Sequence, residues 1–118
     1  MKTGADLIAE AKQRITEVTP QQVRERIKRG ESFVLLDVRE PNEWNLGRVP
    51  GAVHIPRGIM ETSIEQRVPR TADVVIYCAG GNRSALAADT LKQMGYGKVS
   101  SMSGGFRDWV GTGGPVEG

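Results

Sequence analysis

The sequence is poor in the residues that most often form covalent or metal cross-links. It contains one cysteine, Cys78, and one histidine, His54, among 118 residues. A single cysteine cannot form an intrachain disulfide, and together with a single histidine it cannot supply the usual ligands of a structural zinc ion. A domain stabilised by disulfides or by a structural zinc ion is therefore excluded.

Excess charge and long apolar runs are also lacking. Sixteen Lys and Arg residues against 14 Asp and Glu leave a formal net charge of +2, and the basic residues are dispersed along the chain. Nucleic acid is therefore not expected as a partner. No apolar run is long enough to span a membrane, and Asp6, Glu10 and Lys12 interrupt the N-terminal segment where a signal peptide would be apolar. We expect a cytoplasmic protein without a membrane partner.

Helical periodicity and short apolar runs alternate along a chain of ordinary globular composition, with 38% apolar and 25% charged residues. The length suits one domain. Helices are predicted at residues 5–18, from Pro20 to near Gly30, at 59–67 and at 85–94. Continuous apolar runs typical of buried strands begin at Phe33, where the run ends at Asp37-Val38, and at Val74, and shorter strands are predicted at residues 52–55 and 99–102. This alternation predicts the α/β class, with a parallel sheet that carries helices on both faces.

Helix ends are marked by capping residues. Thr19, Pro20 and Gln22 are typical of an N-cap, a first-turn proline and a capping-box partner. Ser84 is predicted to cap the helix from Ala85 to Met94. After the last strand we expect a helical turn with Phe106 and Trp109, and then a loosely ordered tail, GTGGPVEG.

Two of the predicted strands end in residues that can carry chemistry. Asp37 ends the first apolar run, and Cys78 directly follows another, Val74 to Tyr77. Ligands of parallel α/β sheets bind beyond the carboxyl ends of the strands. We therefore expect the functional site beside these two residues.

The segment CAGGNRS, residues 78–84, joins a buried strand to a helix through small, permissive residues. If this loop curls tightly, its backbone N–H groups converge and, with the helix dipole, stabilise an anion. The loop therefore favours the thiolate of Cys78, the candidate nucleophile. Arg83 adds a fork of donors suited to the charged end of an oxyanion. The other candidate substrate-binding residues are Ala79, Gly80, Gly81, Asn82 and Ser84.

A plainer interpretation of this segment is available. A lone cysteine after an apolar strand is often a small buried hydrophobe, and two glycines are often only a turn. The combination of a strand-end cysteine, two glycines, an arginine and a helix-capping serine nevertheless favours a functional loop.

Four segments, in order, resemble the rhodanese family, specifically its single-domain sulfurtransferases. They are LLDVREPNEW at 35–44, GRVPGAVHIPRG at 47–58, YCAGGNRSALAADTLKQMGY at 77–96 and SGGFRDWVGTGGPV at 103–116. The resemblance covers residues 19–116 and implies a central five-stranded parallel sheet with helices on both faces. Residues 1–18 lie outside it and are interpreted as an N-terminal amphipathic helical extension.

The resemblance also implies a reaction. Cys78 would accept sulfane sulfur as a persulfide, from thiosulfate or from another persulfide, and a thiophilic acceptor would then remove it. Cyanide, a thiol or a protein would be that acceptor, and no cofactor would be required. The same resemblance places Asp37 and Arg39 beside the loop, where they either brace the site or form a structural salt bridge.

Departures from the family pattern bear on the donor. Arg48 stands where many relatives have a histidine, and Ala79 and Gly80 leave the loop without the basic side chains found in some thiosulfate-specialised relatives. This lack of charge favours a persulfide or a protein-borne donor over thiosulfate.

Two other functions compete with sulfur transfer. The architecture resembles that of a phosphatase and arsenate-reductase group, but only Ala79 to Asn82 separate Cys78 from Arg83, one residue fewer than in that group. The shorter loop makes a tighter pocket that suits attack at sulfur. The other alternative is a non-catalytic module, either a sulfur carrier or a regulatory binding domain.

Overall fold

Five short parallel strands form one sheet in the computed structural model, which describes residues 1–118. The strands are β1 (Thr16–Val18), β2 (Val34–Asp37), β3 (Val53–His54), β4 (Asp73–Tyr77) and β5 (Lys98–Met102), in the spatial order β1-β5-β4-β2-β3. The sheet is parallel throughout and the α/β class is confirmed.

Six α-helices connect and cover the strands. They are α1 (Gly4–Arg14), α2 (Pro20–Lys28), α3 (Pro41–Leu46), α4 (Met60–Arg67), α5 (Asn82–Gln93) and α6 (Gly105–Gly111), with a 3-10 turn at Arg57–Ile59 before α4. The predicted capping box of α2 is present, because Thr19 Oγ1 accepts from Gln22 N while Gln22 Oε1 accepts from Thr19 N. The short helix α3 was not predicted from the sequence.

The sheet separates two apolar clusters, since successive residues of each strand point to opposite faces. One cluster contains Leu36, Ile76 and Cys78 with residues of α4 and α5, and the other contains Leu35, Val75 and Tyr77 with Val23 of α2 and Trp109 of α6. Helices therefore cover both faces, as predicted.

The N-terminal segment differs from the helix predicted across residues 5–18. The helix α1 ends at Arg14, Ile15 is extended, and Thr16–Val18 pairs with β5 as the edge strand β1. Its β-branched residues suit a strand, and pairing with the open edge of β5 outweighs the continued helical periodicity. Arg14 also forms a bidentate ion pair with Asp89 of α5. Its Nε donates to Oδ1 at 3.0 Å and its Nη2 donates to Oδ2 at 2.7 Å. The domain boundary at residue 19 stays a prediction.

The C-terminal tail is more tightly bound than predicted. The backbones of Arg48 and Glu117 exchange two hydrogen bonds of 2.9 Å, and Trp109 Nε1 donates to Pro115 O at 2.7 Å. These bonds tie the residues after α6 to the rest of the domain.

Candidate active site

The registers of the central strands bring Asp37 and Cys78 to the same edge of the sheet. Asp37 pairs with Tyr77, the residue before Cys78, and Val38 N donates to Tyr77 O at 3.1 Å. The two strand ends therefore lie side by side at one edge of the sheet. No helix of the structure is both long and apolar enough to cross a membrane, and no group of three or more His, Cys, Asp or Glu side chains is placed to hold a metal ion.

The sulfur of Cys78 lies inside a ring of hydrogen-bond donors. The backbone N–H groups of Gly81 and Ser84 point at Sγ, at 3.1 and 3.3 Å, and Ser84 Oγ lies 3.4 Å from it. Cys78 is 1% exposed. Hydrogen bonds from N–H groups to a charged acceptor are stronger than those to a neutral one, so this geometry suits a negatively charged atom at the sulfur position.

Ser84 is not the helix cap that the sequence predicts. The helix α5 begins at Asn82, three residues before the predicted start at Ala85, because Gly81 serves as the N-cap with a φ of +103°. A Cβ on Gly81 would lie 3.1 Å from Gly104 N, so the turn requires glycine for both its conformation and its space. Ser84 consequently lies in the first turn of α5, fully buried, with its hydroxyl directed to the sulfur.

Ser101 on β5 extends this network and was missed in the sequence. Its Oγ lies 2.8 Å from Ser84 Oγ, and both side chains are fully buried. Hydroxyl groups turn to suit their partners. With a thiolate present, Ser101 can donate to Ser84 while Ser84 donates to the sulfur. The signal available beforehand was a pair of serines, Ser100 and Ser101, in an otherwise buried strand.

The start of α6 is docked on the backbone of the loop. Phe106 N donates to Cys78 O at 2.8 Å, and Arg107 N donates to Ala79 O at 3.0 Å. A Cβ on Gly105 would lie only 2.4 Å from Cys78 O, and the φ of Gly105 is +56°. This close approach therefore depends on the second glycine of the Gly104-Gly105 pair.

Asp37 and Arg39 form a buried ion pair below this junction. Arg39 Nη2 donates to Asp37 Oδ2 at 2.8 Å and to Gly47 O at 2.7 Å, and its guanidinium carbon lies 4.3 Å from the centroid of the Phe106 ring. Burial by itself would lower the pKa of Arg39, but the hydrogen bonds and charge of Asp37 raise it overall. Arg39 does not contact the sulfur, and it supports α6 from beneath through Phe106.

Arg83 is engaged with an acid that the sequence analysis did not single out. Its Nη1 and Nη2 donate to Glu43 Oε1 and Oε2 at 2.9 and 3.2 Å. The hydrogen bond from Arg83 is the largest cause that lowers the pKa of Glu43 to about 2, so Glu43 is ionised at neutral pH. The charge of Arg83 is therefore compensated in this structure.

The two tryptophans pack against other side chains rather than line the sulfur. Trp109 is 1% exposed and lies within the core. Trp44 stacks on the His54 ring with centroids 4.7 Å apart, and His54 Nε2 lies 2.8 Å from Arg39 O.

Comparison with protein families gives one match, the Rhodanese-like domain, over residues 19–112. The chain is 33% identical to a "Sulfurtransferase" of Allochromatium vinosum over 102 residues, 86% of this chain and 94% of that protein. It is also 33% identical to the "Putative sulfur carrier protein YrkF" of Bacillus subtilis over 111 residues, 94% of this chain but only 60% of that longer protein.

Solved structures share the fold of this chain. A protein of unknown function from Rhodopseudomonas palustris, described as a "Possible Tyrosine Phosphatase", is 35% identical with a TM-score of 0.90, covering 99% of this chain and 96% of its own. The rhodanese-like domain of an Anabaena protein is 29% identical with a TM-score of 0.81, covering 86% and 78%. By its sequence match and by its fold, the chain belongs to the family of rhodanese-like domains.

Proposed function

We propose that the chain is a sulfurtransferase that carries sulfane sulfur as a persulfide on Cys78. The convergence of two N–H groups and the Ser84 hydroxyl on Sγ is the observation that supports it. A site that stabilises a thiolate also suits the terminal sulfur of a persulfide anion, so one set of donors serves both half-reactions. Relatives that carry the names sulfurtransferase and sulfur carrier support the same chemistry.

In the first half-reaction, the thiolate of Cys78 attacks the sulfane sulfur of the donor. A new S–S bond forms on Cys78 while the donor's S–S bond breaks, and the leaving group takes the electron pair: sulfite from thiosulfate, a thiolate from a persulfide. In the second half-reaction, cyanide or a thiolate attacks the terminal sulfur and releases the thiolate of Cys78. No external oxidant or reductant is consumed, and the two steps should give ping-pong kinetics.

Within this proposal the loop residues have separate roles. Gly81 and Ser84 donate to the sulfur. Donor and acceptor approach the sulfur past Ala79, Gly80 and Asn82. The methyl group of Ala79 and the absence of a side chain at Gly80 leave that approach open. Asp37 and Arg39 are positioning residues, because they act through Phe106. The partners proposed are a small anionic donor and a thiol, cyanide or protein acceptor, in the cytoplasm.

The sulfur-carrier alternative shares the first half-reaction and differs in the second. A carrier would take up one sulfur atom and release it only to a particular partner protein, whereas an enzyme turns over repeatedly with small acceptors. The phosphatase alternative is less well supported: the loop is short, and the guanidinium of Arg83 is paired with Glu43 rather than presented to an oxyanion.

The test is the intact mass of the protein after incubation with thiosulfate, polysulfide or glutathione persulfide, beside the Cys78→Ser variant. We expect the wild type alone to gain one sulfur atom and to lose it to cyanide, with thiocyanate formed over many turnovers. Stoichiometric loading without turnover would favour the carrier. Absence of loading from all three donors would refute the proposal, and hydrolysis of p-nitrophenyl phosphate would then test the phosphatase.

A further inference from the structure

Arg107 on α6 is unlike every other arginine of the chain. The guanidinium of each other arginine donates a hydrogen bond to a carboxylate, a hydroxyl or a backbone carbonyl. The guanidinium of Arg107 makes no hydrogen bond and no ion pair, and the residue is exposed. The N–H groups of its guanidinium therefore have no partner within the protein.

The backbone of Arg107 is fixed to the loop of Cys78. Its N–H donates to Ala79 O at 3.0 Å, and the preceding residue, Phe106, donates to Cys78 O at 2.8 Å. Its side chain also reaches the loop, since a Cβ placed on Gly80 would lie 4.0 Å from Nη1 of Arg107. The guanidinium therefore occupies the space beside Gly80, on the wall of the loop that lacks side chains of its own.

The other arginines near the sulfur are compensated by acids. Arg83 is paired with Glu43, and Arg39 is paired with Asp37 below α6. Arg107 is thus the uncompensated cation of the loop. Opposite charges attract most strongly where other charges do not cancel the field, so Arg107 attracts an anion beside Gly80 more strongly than the paired arginines do.

We propose that Arg107 binds the anionic end of the sulfur donor, and so makes the site selective for donors that carry an anionic group beyond the sulfane sulfur. Thiosulfate, with its sulfonate group, is the simplest donor of this class. When the thiolate of Cys78 takes the sulfane sulfur, the sulfite that leaves carries the electron pair of the broken S–S bond. A guanidinium fork beside Gly80 stabilises that oxyanion. This inference rests on the proposed function and adds the class of donor.

It also changes the interpretation of the departures in the sequence. The lack of basic side chains at Ala79 and Gly80 by itself disfavours thiosulfate. In the structure a residue distant along the chain supplies a cation beside Gly80, because α6 docks on the loop backbone.

The experiment compares two donors with cyanide as the acceptor. One is thiosulfate, and the other is the persulfide of 2-mercaptoethanol, which has no anionic group beyond its sulfurs. The variants are Arg107→Gln, Arg107→Lys and, as a matched control, Arg29→Gln. Arg29 is an exposed arginine at the end of α2, where its Nη2 pairs with Glu31 at 2.7 Å.

For Arg107→Gln we expect a tenfold or larger rise in KM for thiosulfate, a smaller change in kcat and less than a twofold change with the persulfide of 2-mercaptoethanol, whose only charge lies on its terminal sulfur. A higher KM at nearly constant kcat is the signature of lost ground-state binding. Arg107→Lys should recover part of the affinity, and Arg29→Gln should match the wild type. Added salt should weaken thiosulfate use by the wild type more than by Arg107→Gln.

The outcomes separate this inference from the proposed function. Equal KM values for thiosulfate in the wild type and Arg107→Gln would overturn the role of Arg107 and leave sulfur transfer intact. A wild type that uses the persulfide of 2-mercaptoethanol but not thiosulfate would do the same. Failure of the wild type with both donors would overturn the role of Arg107 together with the sulfurtransferase itself.

Discussion

Glu43 and Arg83 form two hydrogen bonds of 2.9 and 3.2 Å, which join α3 to the first turn of α5 beside the loop of Cys78. The two side chains are only 29% and 37% exposed. This pair fixes the position of α3 relative to the loop, and it has consequences for stability as a function of pH.

The Glu43→Gln variant should be less stable than the wild type at neutral pH, by about 1 kcal/mol or less because the pair is partly solvated. The pKa of Glu43 is lowered from 4.5 to about 2 in the folded chain, chiefly by the hydrogen bond from Arg83. A lowered carboxylate pKa stabilises the fold above the unfolded value and ceases to do so as the pH falls through the folded value.

Urea denaturation of both proteins at several pH values measures this effect. The difference in unfolding free energy should be constant above about pH 5, shrink below it and vanish near pH 2. A difference that does not change between pH 7 and pH 3 would contradict the ion pair as its source.

The Ser101→Ala variant should make Cys78 react several-fold more slowly with iodoacetamide at pH 7. Ser101 Oγ lies 2.8 Å from Ser84 Oγ, and its removal deprives the Ser84 hydroxyl of a donor when that hydroxyl turns toward the thiolate. A weaker donor stabilises the reactive thiolate less.

Ser100→Ala is the matched control for that measurement. Ser100 is the preceding residue of the same strand, and successive strand residues point to opposite faces of the sheet. Equal alkylation rates for Ser101→Ala and Ser100→Ala would show that the buried hydroxyl network does not act on the sulfur.

Asp37→Asn should destabilise the domain strongly, by roughly 3 to 5 kcal/mol, because it leaves the guanidinium of Arg39 buried without a compensating charge. Asp37 is fully buried, and Arg39 is 4% exposed. Urea denaturation measures the loss.

The double variant Asp37→Asn, Arg39→Met is its control, since it removes both charges and should recover much of the stability. Recovery of stability without recovery of sulfur transfer would assign the pair to positioning the site through Phe106. Recovery of both would make it a structural salt bridge. A double variant no more stable than Asp37→Asn would contradict the charge argument.

The parts of this fold that could be predicted from sequence are those encoded locally. Apolar runs ending at Asp37 and Tyr77 identify buried strands, and parallel pairing then places both ends at one edge of the sheet. The pairs Glu43–Arg83 and Ser84–Ser101 join residues 40 and 17 positions apart, and the local sequence around one partner does not identify the other. Thr16–Val18 shows the same limit, because its strand forms only where β5 offers an open edge.

Gly105→Ala should disrupt the junction between α6 and the loop. The added Cβ would lie 2.4 Å from Cys78 O and 2.7 Å from Ala79 O, both backbone atoms, and the φ of +56° is unfavourable for alanine. Either α6 moves away or the loop opens, so we expect a loss of more than about 2 kcal/mol in stability. Because Phe106 and Arg107 are held by the same junction, sulfur transfer from thiosulfate should fall as well.

Gly111→Ala is a control of the same chemistry at the other end of the same helix. A Cβ there meets nothing within 4 Å, so the substitution should leave stability and activity close to those of the wild type. Urea denaturation and the thiosulfate assay on both variants measure the contrast. If Gly105→Ala is as stable and as active as Gly111→Ala, the close packing of α6 on the backbone of Cys78 and Ala79 is not what holds the loop in its curled form.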